Sequence, residues 1–250
     1  MNELDTYLGL CTDVYELSKP ECPSDAYAFY REYAKAARGL ILEPMCGTGR
    51  FLLPLLEEGF DIYGFDASHF MLAKLHKKAK AKKLEPKVWH GFAENLNRIE
   101  KYDLIFIPSG SFCLITDEEK AKIILTAFYN HLTDSGTLLF EAETMASVPE
   151  LGNWRGSIWP KDNEQTIVLS QLVTYESGIC RSLGKYELIQ GNKITCTEIE
   201  EYKIRIYDQA RLIAILKFAG FKHIRILKAF DTSQEPNEKD ESVVYECRKS

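Results

Sequence analysis

The sequence has no run of 18 apolar residues, no paired cysteine or histidine spacing and no excess of basic charge. The first absence excludes a helix that crosses a bilayer. The cysteines, Cys11, Cys22, Cys46, Cys113, Cys180, Cys196 and Cys247, are odd in number and scattered without a C-x-x-C step. That spacing argues against a zinc site or a disulfide framework, so reduced thiols in a cytoplasm are the expectation. His69, His76, His90, His131 and His223 never fall at H-x-x-x-H spacing, so no metal is expected. Lys and Arg number 31 against 37 Asp and Glu, a net charge of −6, which gives no bulk pull toward nucleic acid or an anionic membrane. The opening MNELDTYLGL holds two acids and no base, so a secretory leader is not expected.

What is present is ordinary globular composition: 250 residues, 45% hydrophobic and 27% charged, enough for one large domain with a sizeable core. From Leu40 onward short apolar runs alternate with helical patterns, which predicts βαβ units and a parallel sheet. The runs are Leu40 to Leu42, Ile62 to Phe65, Val88 to Trp89, Leu104 to Ile107 and Thr137 to Phe140. Helices are predicted from Ser24 or Asp25, where Ala26, Phe29, Tyr30, Tyr33 and Ala37 recur at helical spacing, and after a capping box at Thr116 to Glu119. A third runs from an Asp208 N-cap to Gly220. Between residues 151 and 206 the extended segments Thr166 to Tyr175, Cys180 to Ile189 and Lys193 to Ile206 predict an antiparallel insertion. His223 to Phe230 and Val243 to Cys247 complete the sheet as a hairpin, leaving one strand antiparallel. The expected architecture is α/β, a doubly wound seven-stranded Rossmann-like sheet with an antiparallel β insertion. Residues 1–39 form a helical cap, and 151–206 lie over the active site.

Chemistry concentrates at Ile41-Leu42-Glu43-Pro44-Met45-Cys46-Gly47-Thr48-Gly49-Arg50, a strand that runs into a glycine turn and a helix. Gly47 and Gly49 would let backbone approach a ligand, and the helix start offers free N–H groups. A nicotinamide fingerprint would place a third glycine at Leu52, so a dinucleotide dehydrogenase is disfavoured. The next strand ends in Asp66, 17 residues beyond Gly49, where a carboxylate can bind a ribose diol. A glycine turn with that acid argues for a nucleoside ligand.

These residues resemble the class I S-adenosylmethionine-dependent methyltransferases, over Tyr30 to Cys247. The resemblance is carried by LEPMCGTGRFLLPLLEEGFDIYGFDASHFML at Leu42 to Leu72, HGFAEN at His90 to Asn95 and YDLIFIPSGSF at Tyr102 to Phe112. It is greatest to enzymes that act on small molecules, including sugar and glycine-type N-methyltransferases, in which a β insertion follows the fifth strand. It implies S-adenosylmethionine as cofactor and methyl transfer to an N or O atom of a small polar molecule. Glu43, Cys46, Gly47 and Gly49 would surround the methionine part, Asp66 would bind the ribose hydroxyls, and Ala67 and Met71 would lie against the adenine. Ala93 and Glu94 would hold the adenine edge, with Pro108 and Ser109 lining the floor near the reactive methyl.

Around that site, Tyr7, Tyr15, Trp154, Trp159 and Tyr202 are candidates for an apolar substrate enclosure, with Tyr15, Trp154, Trp159 and Tyr202 as substrate-binding residues. Glu141 and Glu143 alternate after a buried strand, and either could point into the pocket. The sequence names no catalytic general base. The lysines Lys74, Lys77, Lys78, Lys80, Lys82, Lys83 and Lys87 form the one dense basic run. A solvated helix face is the expectation for them; as a docking patch they would suit a methyltransferase acting on RNA or protein. The N/D-P-P-Y/F tetrapeptide of base amino-methylation is absent, Pro108-Ser109-Gly110-Ser111 standing in its place. A non-catalytic adenosyl-ligand-binding protein is the other alternative. The expected partner is a small-molecule substrate, not nucleic acid or membrane, in a monomer or homodimer.

Overall fold

The computed structural model describes residues 4–249, so residues 1–3 of the expected cap, and residue 250, lie outside the described residues. The helices are α1 (Gly9–Ser18), α2 (Ser24–Ala36), α3 (Leu52–Glu57), α4 (His69–Ala81), α5 (Glu118–His131) and α6 (Gln209–Ala219). The strands are β1 (Leu40–Pro44), β2 (Ile62–Asp66), β3 (Lys87–His90), β4 (Tyr102–Ile107), β5 (Leu132–Glu143), β6 (Trp154–Pro160), β7 (Gln165–Glu176), β8 (Ile179–Gln190), β9 (Lys193–Arg205), β10 (His223–Lys228) and β11 (Ser242–Arg248). One sheet has seven strands in the order β10-β11-β5-β4-β1-β2-β3, and the other is the meander β6-β7-β8-β9. Only β11 runs antiparallel within the seven-stranded sheet.

Alternation along each central strand sends neighbours to opposite faces, and helices cover both. Leu42, Ile105, Ile107, Leu138 and Phe140 pack on one side with α5 and α6. Ile41, Leu104, Phe106 and Leu139 pack on the other with α2, α3 and α4. β1 lies between β2 and β4, and the chain turns in opposite directions on its two sides, which places the topological switch point at its carboxyl end.

Four local differences from the sequence reading have physical causes. β5 begins at Leu132 rather than Thr137, and its pairing to β4 jumps from Tyr102↔Leu132 to Leu104↔Thr137. Gly136 fits in that bulge because a Cβ would stand 2.9 Å from the Tyr102 carbonyl oxygen. The α5 cap is Asp117, whose side chain accepts from Lys120 N, rather than a box begun at Thr116. β6 is an additional edge strand, where Pro160 is tolerated because one side needs no ladder. α1 forms with no side-chain cap of its own; Glu200 accepts from Leu8 N at 2.9 Å and Glu198 from Leu10 N at 2.7 Å, both from β9.

The lysine run is largely a solvated face, with Lys77, Lys80, Lys82, Lys83 and Lys87 exposed and only Lys74 and Lys78 half-buried. Lys74 pairs with Asp13 and Lys78 with Glu16, so α4 holds α1 through charge. Lys161 also pairs with Asp13, tying the β6–β7 turn to the same helix. Among the described residues, no helix is long and apolar enough to cross a membrane.

Candidate active site

The carboxyl ends of β1, β2 and β4 open into a cavity of about 590 Å³. Its lining includes Met45, Gly47, Asp66, Ala67, Met71, Ala93, Glu94 and Ser109 from the main sheet side. Facing these are Leu4 to Tyr7, Tyr15 and Lys19 from the N-terminal segment, Glu143 from β5, and Glu201, Tyr202 and Lys203 from β9.

The two motif glycines do different work. A Cβ on Gly47, at φ +54°, would meet nothing within 4 Å, so its backbone faces open space. A Cβ on Gly49, at φ +77°, would stand 2.9 Å from Leu75 Cγ, so Gly49 lets α4 pack closely and does not line the cavity. At the tip of β2, Asp66 accepts from Gly47 N at 2.7 Å and from Ser68 N at 2.8 Å. Burial pushes its carboxyl above the ordinary range, and those backbone donors oppose the shift. Beside it, His90 stacks on His69 at 3.6 Å, with its Nε2 2.9 Å from the Ala67 carbonyl oxygen.

Glu43, Cys46, Gly49 and Pro108 are buried and do not line the cavity. Glu43 is 2% exposed, and its Oε2 has no hydrogen-bond partner. Burial pushes its carboxyl well up, against the pull of Arg50. Arg50 Nε is likewise buried without a partner, while its Nη2 donates to Ser109 Oγ at 2.7 Å and its guanidinium stands 5.5 Å from the Tyr15 ring centroid. Arg50 does not line the cavity itself but contacts Ser109 and Tyr15, which do; its signal in the sequence is a cation directly after the glycine turn.

Tyr202 meets Tyr7 edge to face, with ring centroids 6.0 Å apart, so the expected aromatic wall forms from Tyr7, Tyr15 and Tyr202. The two tryptophans do not join it. Trp154 is 61% exposed on edge strand β6, and Trp159 packs against Leu10, Val14 and Ile167 beneath α1. Glu141 is buried and accepts from Ser109 N at 2.7 Å, whereas Glu143 reaches the cavity. Three lining residues other than glycine hold left-handed backbone: Tyr7 at φ 55°, Met45 at φ 57° and Ser109 at φ 61°. Such conformations cost roughly 1 to 3 kcal/mol each and gather at functional sites.

Open backbone at Gly47 and an acid at the β2 tip suit a nucleoside ligand. With the switch point at β1, the fold is that of the class I S-adenosylmethionine-dependent methyltransferases. Residues 41–136 match the family described as the methyltransferase domain. A protein of Geobacillus sp. (strain WCH70), whose methyltransferase name is provisional, is 25% identical over 94% of this chain and 96% of its own. A crystal structure of an S-adenosylmethionine-dependent methyltransferase from Clostridium acetobutylicum ATCC 824 superposes with a TM-score of 0.79 at 20% identity, covering 94% of this chain and 96% of that one. A sugar N-methyltransferase from Streptoalloteichus sp ATCC 53650 gives 0.77 at 17% identity, covering 100% and 97%. The domain match, the relatives and the shared fold together support a class I methyltransferase that uses S-adenosylmethionine.

Proposed function

We propose that this enzyme transfers the methyl group to a nitrogen or oxygen atom of a small polar molecule held in the cavity between the main sheet and β9. The observation that carries this reading is the enclosure itself: the nucleoside-facing wall of Gly47, Asp66 and Met71 stands opposite Tyr7, Tyr15, Tyr202 and Glu143 in one cavity of about 590 Å³. That volume is of the size that takes a small ligand beside a nucleoside. The solved sugar N-methyltransferase of the same fold supports a small acceptor.

In this reading Asp66 binds the ribose hydroxyls, Ala67, Met71, Ala93 and Glu94 hold the adenine, and Met45 to Gly47 present backbone to the methionine portion. Glu43, Cys46, Gly49 and Pro108 shape that turn from behind, with Arg50 supplying positive charge. The sulfonium methyl is already activated when bound, so the chain's own task is to align the acceptor and exclude water. Residues 4–39 and 151–206 act as the caps that choose the acceptor, through Tyr7, Tyr15 and Tyr202. Lys74 and Lys78 are engaged by Asp13 and Glu16, which supports a small acceptor over an RNA or protein docked on the lysine run. Seven scattered cysteines, none in a disulfide, support a reducing, cytoplasmic setting. The test is release of S-adenosylhomocysteine against a panel of amino and hydroxy metabolites. Turnover on one of them is expected, and turnover confined to RNA or protein would reject the reading.

A further inference from the structure

We propose that Glu143 takes the proton of the acceptor, and that the acceptor atom is an amine nitrogen that arrives as an ammonium ion. The proposal rests on the methyl-transfer reading and deepens it. Of the other carboxylates on the cavity wall, Asp5 is exposed to solvent, Asp66 is held by two backbone N–H groups and Asp117 caps α5. Glu94 pairs with Lys120 at 3.5 Å, and Glu201 with Lys203. Glu143 is placed differently. Its Oε2 accepts from Ser147 Oγ at 3.1 Å, and its Oε1 stands over the turn that ends β4, where a Cβ on Gly110 would come within 2.9 Å of it. Pro108 to Ser111 form that turn, and Ser109 and Ser111 line the cavity beside Glu143.

The surroundings suit a proton acceptor. Lys19 on the N-terminal segment is the cation facing Glu143, while Glu141 on β5 and Glu241 before β11 face it as anions. Tyr202 on β9, Cys180 on β8 and Cys113 below β4 complete its titratable neighbours. Burial raises the Glu143 carboxyl above its usual range, aided by Glu141 and opposed by Ser147 and Lys19. A raised carboxylate is a better match for an ammonium proton, held with a pKa of about 10, than for a hydroxyl near the about 15.7 of water. In the step, the ammonium N–H proton passes to Glu143 Oε1, leaving a neutral carboxyl and a free nitrogen lone pair. The N–C bond then forms as the S–C bond of the sulfonium breaks, its electron pair staying on sulfur. The methylated product departs as an ammonium, and Glu143 returns its proton to solvent.

Sinefungin and S-adenosylhomocysteine separate this from a structural role without any known acceptor, because sinefungin carries an amine where the donor carries its methyl. Calorimetric titration of the full chain should show sinefungin preferred by about tenfold, the scale of one charge-assisted hydrogen bond. The preference should fade as the pH is lowered and Glu143 becomes protonated. Glu143→Gln should bring the two ligands to parity at every pH with S-adenosylhomocysteine affinity retained, and Glu143→Asp should keep part of the preference. Equal affinities in the wild type, or an unchanged preference in Glu143→Gln, overturns the proposal and leaves the methyl-transfer reading intact. Loss of both ligands in Glu143→Gln and Glu143→Asp alike also overturns it, since Glu143 would then be holding the fold. Binding of neither nucleoside by the wild type would overturn the methyl-transfer reading itself.

Discussion

Gly47 donates its backbone N–H to Asp66 Oδ2 over 2.7 Å, joining the turn after β1 to the tip of β2. The bond fixes the acid's orientation and holds the glycine turn in its left-handed form. A Cβ on Gly47 would meet nothing within 4 Å, so the turn leaves open space beside Asp66.

Gly47→Val should abolish nucleoside binding while leaving the fold in place. No neighbour lies within 4 Å of the added Cβ, so packing survives, but the side chain projects into open space at a φ of +54°. The left-handed backbone should cost roughly 1 to 2 kcal/mol in a non-glycine residue. Circular dichroism and calorimetry check this; a folded variant with normal affinity would show that the turn does not face the ligand.

The same region was the most legible in the sequence because its determinants are contiguous. Leu42 to Asp66 contains the strand, the turn, the helix and the acid that the turn contacts. α1 was not legible, since its first N–H groups are satisfied by Glu198 and Glu200 far along the chain. Trp154 and Trp159 read as pocket aromatics, yet β6 is an edge strand that exposes one and turns the other beneath α1. The lysine run reads as a solvated face and is one at five of its seven positions; Lys74 and Lys78 depart from it because Asp13 and Glu16, which engage them, belong to a helix the pattern does not reveal.

Gly64→Ala should destabilise the protein by about 1 to 3 kcal/mol, the usual scale of overpacking in a filled core. Its Cβ would stand 2.4 Å from Leu52 Cδ1 and 3.1 Å from Cys46 Sγ, and Leu52 is fully buried. Urea denaturation reads the loss; a shift below about 0.5 kcal/mol, the range of ordinary surface changes, would mean that α3 moves freely away from β2.

Thiol reactivity should be ordered by burial. Cys196 is exposed, whereas Cys46, Cys113, Cys180 and Cys247 are buried. Burial pushes the Cys113 thiol up to about 12, and the Cys11 thiol, with Glu200 adding to it, also to about 12. A disulfide reagent at pH 8 should titrate one thiol rapidly and the buried four only on unfolding, and Cys196→Ser should remove the fast phase. A persistent fast phase would contradict the placement of β9.

Glu43→Gln should alter the pH dependence of stability in one direction. Burial, against the pull of Arg50, raises the folded-state pKa of Glu43 well above its unfolded value, so the folded chain holds a proton that the unfolded chain releases first. Its contribution is complete below the unfolded pKa and is lost as the pH rises through the folded one. The variant should therefore match the wild type in acid and gain on it as the pH rises. Urea midpoints of the unliganded proteins from pH 5 to 9 test the sign, and a gap that opens on acidification would contradict it.

The central claim, a nucleoside methyl donor held at Asp66, is tested most directly by calorimetric titration of the wild type and Asp66→Ala with S-adenosylhomocysteine and NAD. The wild type should bind S-adenosylhomocysteine and not NAD. Asp66→Ala should lose about 2 to 4 kcal/mol, because charge-assisted hydrogen bonds to the ribose are worth roughly 1.5 to 3 kcal/mol each and water replaces part of them. Binding of NAD with no S-adenosylhomocysteine signal, or unchanged affinity in the folded variant, would contradict the account.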